Sequence, residues 1–479
     1  MKLALAGAVA LALAGVGSAW AEPVKAKTAS GVVVGDLADG IASYKGIPFA
    51  AAPVGDLRWK APQPMPAWTG ERAATEYGPS CMQNSRLGAE AKISEDCLFL
   101  NVFSPKDAKN APVMVWIHGG SNLNGSGSIY NGPAFAKDGI VTVTINYRMG
   151  AFGFFAHPEI TKAASKTDPL ANYGLMDQTA ALQWVQKNIA AFGGDPAKVT
   201  VFGESAGAIN IYALLGLKSS KGLFNQAILE SNITWGDSAP LADAEKDGKE
   251  LVIRAGATET ATLADLRTIP ADKLVTAANG ARFPMVDGRF MTETSVQAMA
   301  NKHTLDVPLI VGTNSYEASL ARQLQGQAQT DWTNNQAGAP ARFIAAKSAD
   351  GKPSWLYFFS YVATARRTPD SSGAAHASEI SYVFGGQMRP PGAPPAAAGS
   401  ALAPPPEPTD EDKAMAVLMH SCWVAFAKSG EPKCASGPAW PKYDAKTDQL
   451  MEFGVASGVR TNFRKEALDV ATAAEPSAK

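Results

Sequence analysis

The chain has 479 residues, 46% of them hydrophobic, with a formal net charge of -1 and a pI near 6.6. That is ample apolar material for a large core, and it excludes global disorder. Without a basic excess, neither a nucleic acid nor an anionic membrane is expected as a partner, and a neutral, apolar or small polar ligand is the natural expectation.

The chain begins "MKLALAGAVALALAGVGSAWAEP": a lysine, an apolar run from Leu3 to Val16, and a short close on Ala19, Trp20 and Ala21. This is the shape of a secretory signal peptide over residues 1–21, with cleavage after Ala21. A membrane anchor needs a longer apolar span, and no later stretch supplies one. The expected location is therefore secreted or periplasmic, an oxidising compartment that suits the four cysteines. Cys81 with Cys97, and Cys422 with Cys434, is the simplest of the three possible pairings on proximity. No CxxC or HxxxH spacing appears, so no zinc site is expected.

Short Val- and Ile-rich runs then alternate with helical patterns. "VMVWI" (113–117), "IVTVTI" (140–145), "VTVF" (199–202), "AILE" (227–230), "VPLIV" (307–311) and "WLYFF" (355–359) read as strands buried on both faces. "DQTAALQWVQKNIAAF" (177–192) has helical spacing and stops at Gly193 and Gly194. The alternation predicts an α/β fold, a doubly wound and mainly parallel sheet with helices on both faces. From 385 to 408 the Pro/Ala-rich text predicts an extended surface loop, and "DKAMAVLMHSCWVAFAK" (412–428) resumes a helix. Length alone suggests about three domains, but α/β enzymes often exceed that rule, and no repeat or clean linker divides residues 22–479. A single catalytic domain is expected.

"VTVFGESAGAIN" (199–210) carries the chemistry. Gly203, Ser205 and Gly207 satisfy GxSxG between a strand and a helix, the context in which the pattern marks a nucleophile elbow rather than a plain Gly/Ser turn. A serine hydroxyl attacks poorly unless a base removes its proton and a third group orients that base. In this fold the order is Ser, acid, His. Of five histidines, His118, His157 and His303 precede the acid. His420 sits inside an apolar helix, where core packing explains it, and His376 follows the last expected strand in a small-residue loop. For the acid, Glu317 lies just past the strand 307–311, where a βα loop carries site residues. Asp306 before that strand and Asp287 in "VDGR" are the rivals. "WIHGGSN" (116–122) offers small residues just past a strand, so the amides of Gly120 and Ser121, with that of Ala206, are the expected oxyanion hole; the alternative is a glycine turn without a ligand.

Taken together, "GIPFAAAPVGDLRW", "SEDCLFLNVF", "WIHGGS", "INYRMGAFGF", "GLMDQTAALQWVQKNIAAFGGDPAKVTVFGESAG", "GTNSYEAS" and "HASEISYVFG" resemble, in order and over nearly the whole mature chain, the type-B carboxylesterase family. Its members include cholinesterases, bacterial esterases and the non-catalytic neuroligins. The resemblance implies an α/β-hydrolase fold. It places Ser205, Glu317 and His376 on the family's triad, Gly120, Ser121 and Ala206 on its oxyanion hole, and Glu204 on an acidic position that supports the site electrostatically. Cys81–Cys97 matches the family's first disulfide, whereas Cys422–Cys434 rests on compartment and proximity alone. Relatives often carry a third glycine where Ser121 stands and an aromatic where Asn122 stands, which predicts a more polar mouth to the pocket here. The loop between Cys81 and Cys97 is short beside the one that brings the choline-binding tryptophan in cholinesterases, which argues against choline specificity. The brief span from Glu317 to His376 predicts an open site rather than a deep gorge.

The leading expectation is a serine-dependent carboxylic-ester hydrolase acting through an acyl-enzyme on a small-molecule ester, with no metal and no organic cofactor. A specialised esterase for a bulky natural or xenobiotic ester, such as a toxin, pesticide or phthalate, is the alternative within the enzyme class. A neuroligin-like binding protein is the alternative outside it, although such relatives lose the serine that is present here.

Overall fold

The computed structural model describes residues 22–84, 92–236, 238–386 and 407–475. The expected signal peptide at 1–21 and most of the Pro/Ala-rich stretch, 387–406, lie outside the described residues.

Among the described residues, one thirteen-stranded sheet forms the backbone of the fold. Its centre is parallel, in the spatial order Val141–Ile145, Ala111–Ile117, Gly194–Glu204, Gln226–Glu230, Leu309–Asn314, Ser354–Phe359 and Gln449–Phe453. Antiparallel strands extend both edges: Phe99–Pro105, Ile41–Pro48, Val32–Ala38 and Glu22–Lys27 on one side, Gly458–Thr461 on the other. The six central apolar runs read from the sequence form strands of this sheet. The antiparallel edges were not foreseen, because segments such as "VVVGDLA" alternate buried with half-exposed positions and carry polar residues that dilute the strand signal.

The central strands are apolar throughout because both faces are covered. Since successive side chains of a strand point to opposite sides, Val113, Val115 and Ile117 join Val199, Val201 and Leu229 in one core. Met114 and Trp116 join Phe202, Ile228 and Ile310 in the other. Helices Tyr173–Asn188 and Ala206–Gly216 supply side chains to the first core, and helix Asp410–Ser429 to the second. Helix Tyr173–Asn188 passes through a 3-10 turn to Gly193, whose φ of 81° is the left-handed stop that glycine accommodates. A third cluster around Trp59, Leu251, Leu266 and Leu274 gathers helices Leu241–Arg254, Leu263–Thr268 and Ala271–Ala277.

Both expected disulfides, Cys81–Cys97 and Cys422–Cys434, are formed, which suits an oxidising compartment. Among the described residues no helix is long and apolar enough to cross a membrane.

From Ala111–Ile117 the chain crosses to Val141–Ile145 on one side and later to Gly194–Glu204 on the other, so the connections diverge around the first strand. In open α/β sheets, such a switch point leaves a crevice beyond the carboxyl ends of the strands. The loop after Ile117 and the turn after Glu204 meet there.

Candidate active site

Ser205 stands between strand Gly194–Glu204 and helix Ala206–Gly216 with φ 56° and ψ −123°, a conformation that costs an L-residue about 1–3 kcal/mol. Neighbouring backbone holds it there. Its amide donates to Glu230 O at 2.9 Å. The flanking glycines answer to a specific obstacle: a Cβ at Gly203 would lie 2.4 Å from Ile117 O, and one at Gly207 2.0 Å from the same atom. The motif therefore works by close approach to the next strand as well as by the freedom of its turn. Ser205 is buried, with 7% of its surface exposed.

The loop after Ile117 lies against this elbow. A Cβ on Gly119 would come within 3.0 Å of Ser205 Cβ and 2.7 Å of Glu204 O. Gly120, at φ 99°, leaves no room for a side chain, since its Cβ would meet Asn124 O at 2.0 Å. Ser121 and Asn122 follow in the left-handed region at φ 59° and 54°. The Gly120 carbonyl is taken by the amides of Leu123 and Asn124, at 2.9 and 3.0 Å, while the amides of Gly120 and Ser121 donate to no other described group. The Ala206 amide, at the first position of its helix, has no intrahelical acceptor.

Asn122 corrects an expectation. Rather than making the mouth polar it is fully buried, because its Oδ1 and Nδ2 are occupied by Tyr147, Asn210 and the Arg282 carbonyl.

Glu317 opens a short 3-10 turn, Glu317–Leu320, beyond strand Leu309–Asn314. Its Oε1 accepts from Thr313 Oγ1 at 2.9 Å and Asn314 N at 2.7 Å, and its Oε2 lies 2.5 Å from His376 Nδ1. The His376 amide donates to Ser319 Oγ at 3.0 Å, so the turn that carries the acid also anchors the imidazole's backbone. The other ring nitrogen, Nε2, lies 3.0 Å from Glu204 Oε1, an ion-pair distance without hydrogen-bond alignment. Nε2 is thus directed to the residue beside Ser205 and not onto the hydroxyl.

The charges are coupled. Burial disfavours the imidazolium, but Glu204 and Glu317 together raise the His376 pKa well above the usual value. Burial likewise opposes ionisation of Glu317, yet the imidazole and the donated hydrogen bonds hold its carboxyl below the ordinary range.

Two further buried carboxyls were not singled out from the sequence. Glu379 accepts from Ser231 Oγ at 3.0 Å and from Asn314 Nδ2 at 2.5 Å, and burial, reinforced by Glu204 and Glu317, pushes its pKa up to about 8. Glu230 accepts from Trp423 Nε1 at 2.8 Å and is raised well above the usual value by burial and by Glu379. The same Asn314 Nδ2 donates to Ala375 O at 2.9 Å, which ties the histidine loop to the strand that leads to Glu317. The sequence hint was slight: Glu379 follows His376 by three residues, and Glu230 ends a strand next to the elbow.

The remaining candidates have other employment. Asp287 Oδ1 accepts the amides of Arg289, Phe290 and Met291 within its turn, and Asp306 Oδ1 accepts the Lys352 amide. His157 caps helix Pro158–Ala163, and exposed His303 pairs with Glu293. Buried His118 stacks on Tyr147, and burial lowers its pKa to about 4. His420 packs on Phe135 and contacts Val383 O and Asp138.

Comparison with known proteins points the same way. The model of the carboxylesterase family matches residues 22–337 and 332–471. The fumonisin B1 esterase of Sphingopyxis macrogoltabida is 36% identical over 90% of this chain and 86% of its own. The para-nitrobenzyl esterase of Bacillus subtilis is 34% identical over 88% of this chain and 93% of its own. Among solved structures, a PNB esterase superposes with a TM-score of 0.82 at 32% identity, covering 93% of this chain and 98% of that one.

Proposed function

Because the chain belongs to the carboxylesterase family and is a carboxylic-ester hydrolase, we propose that Ser205, His376 and Glu317 are its catalytic triad and that Gly120, Ser121 and Ala206 form its oxyanion hole. The observation that carries this reading is the imidazole itself. Glu317 Oε2 grips Nδ1 at 2.5 Å while Nε2 faces residue 204, one residue from the strained serine.

In the reaction, Nε2 turns from Glu204 to the Ser205 hydroxyl and takes its proton as Oγ bonds to the ester carbonyl carbon. The carbonyl oxygen becomes an oxyanion, received by the three amides. Collapse breaks the ester C–O bond, and the imidazolium returns its proton to the leaving alcohol. Water then attacks the acyl-enzyme with the same base and releases the acid. Glu317 keeps the proton on Nδ1 and stabilises the imidazolium.

For the substrate, we favour a bulky ester over a short acyl ester of choline. The relatives named for fumonisin B1 and para-nitrobenzyl esters support this, as does the short Cys81–Cys97 loop. Export is part of the same proposal, supported by the leader-like first 21 residues and by the two disulfides. The test is an ester panel, from p-nitrophenyl acetate to bulky diesters, run on the wild type beside Ser205→Ala and His376→Ala, with a fluorophosphonate probe. Covalent capture at Ser205, with nearly all turnover lost in both variants, is expected. Wild-type-like activity in either variant, or no capture, overturns the assignment, and a preference for acetate without bulky turnover overturns the substrate class.

A further inference from the structure

Two of the three proposed oxyanion donors sit on the loop after Ile117 and the third on the helix after Ser205, so something must fix one element against the other. We infer that the buried pair Asn122–Asn210 does this and is the positioning device of the oxyanion hole. The inference rests on the ester-hydrolase reading of the site.

The two side chains are bonded reciprocally. Asn210 Nδ2 donates to Asn122 Oδ1 at 2.9 Å, and Asn122 Nδ2 approaches Asn210 Oδ1 at 3.3 Å. Asn210 lies one helical turn after Ala206, on the same helix face. Asn122 directly follows Ser121. The pair therefore joins the two donor-bearing elements within a few residues of each donor, in a place where neither residue is exposed to water.

The loop needs such a tie. Gly120, Ser121 and Asn122 all have positive φ, and for the two non-glycine residues that conformation costs about 1–2 kcal/mol each. Local preference would unwind the turn and re-aim the amides. Asn122 opposes this through both side-chain polar atoms and its carbonyl: Nδ2 to Arg282 O at 2.8 Å, Oδ1 from Tyr147 Oη at 3.2 Å, and the carbonyl from Gly150 N at 2.6 Å. Arg282 N closes the circuit on Ser121 O at 2.9 Å. Asparagine is also among the few non-glycine residues that tolerate the left-handed region.

A device that aims oxyanion donors is felt only where charge develops on the carbonyl oxygen, in the transition state. Removing one such donor typically costs about 10²–10³ in kcat, so misaiming them is expected to cost about 10–100-fold. The test is Asn210→Ala, Asn122→Ala and the double variant on p-nitrophenyl acetate, with binding of a trifluoromethyl ketone and thermal melting measured alongside. The expectation is a fall of about 10–100-fold in kcat for each single variant, with KM within about twofold and ketone affinity falling in step with kcat. Because the two residues act as one, the double variant falls no further than the worse single one. Should Asn122→Ala fail to fold, Asn210→Ala and the near-isosteric Asn210→Asp, which sets a carboxylate oxygen against Asn122 Oδ1, carry the test with the same expectation. An unchanged kcat in folded Asn210→Ala, or a loss confined to KM with ketone affinity intact, overturns the inference alone. A wild type without Ser205-dependent ester turnover overturns it together with the functional reading.

Discussion

The acid of the proposed triad is the place where a one-atom change is best reasoned from the structure. In Glu317→Gln the amide must choose an orientation. Glu317 Oε1 receives two donors, Thr313 Oγ1 at 2.9 Å and Asn314 N at 2.7 Å, while Oε2 faces His376 Nδ1 at 2.5 Å. Turning the new NH₂ toward Thr313 and Asn314 would strand buried donors, at about 1–3 kcal/mol for each group left unpaired. The amide oxygen therefore stays with those donors and the NH₂ meets Nδ1. The imidazole can then accept only at Nδ1, so its proton moves to Nε2, the atom that must receive the serine proton. The variant keeps its fold and loses its base. Where an orienting acid is made neutral in this way, kcat falls by about 10⁴, which corresponds to about 5 kcal/mol of activation free energy. A drop of about 10³–10⁴ in kcat for p-nitrophenyl acetate is expected, with melting little changed. A rate within tenfold of wild type would refute the tautomer argument and send the search for the acid elsewhere.

Two predictions concern the other carboxyls. Glu204 helps to raise the His376 pKa, so Glu204→Gln should move the acid limb of kcat/KM to lower pH and lower the plateau by about tenfold as the imidazolium loses a partner; an acid limb that stays in place would mean that Glu204 does not set the titration. Glu379, with its folded pKa pushed up to about 8, is neutral when folded and ionised when unfolded at intermediate pH, so its folded-state stabilisation is full below the unfolded carboxyl value and is lost as pH rises toward 8. Glu379→Gln mimics the neutral form and should flatten that decline between about pH 5 and 8 in urea denaturation; a decline as steep as wild type's would show Glu379 to be ionised in the fold.

The sequence carried the centre of the molecule better than its edges, for a physical reason. Strands covered on both faces are continuous apolar runs, so 113–117, 199–202 and 355–359 stood out, whereas Val32–Ala38 and Gln449–Phe453 lie toward the sheet edges and include half-exposed polar positions, and their mixed composition hid them. At the site, chain order and element position were enough to bring Ser205, Glu317 and His376 forward, because βα loops put residues distant in sequence at one end of the sheet. What stayed hidden was pairing across the fold. Nothing in "SNLNG" says that Asn122 will turn inward to Asn210, 88 residues later. Its inward turn goes with a left-handed backbone at three successive residues, in a loop whose Gly119 packs against the elbow. Glu230 and Glu379 were hidden for the same reason, since a buried carboxyl is recognised by the Trp423, Ser231 and Asn314 donors around it and not by its neighbours in sequence.

Burial and mutual repulsion, working against those donors, explain how four buried glutamates can lie in one region of the fold. Full ionisation of Glu204, Glu230, Glu317 and Glu379 would set several like charges in a medium that solvates them poorly, and such groups hold protons instead. Glu230 and Glu379, deeply buried and close to one another and to Glu204 or Glu317, are the two pushed upward. Glu317 goes the other way because the imidazole sits on it. The charge left in place is therefore concentrated on the two carboxylates that touch the ring, at 2.5 and 3.0 Å. That arrangement is complementary to the imidazolium, the form that exists once the serine proton has moved, more than to the neutral base that starts the reaction. Stabilising the transition state through His376 and keeping His376 unprotonated at rest are opposed demands on the same two contacts. Burial disfavours the charged ring but is outweighed by the two carboxylates, so the imidazole's pKa lies well above its usual value and the resting base is reached only by giving up part of that stabilisation.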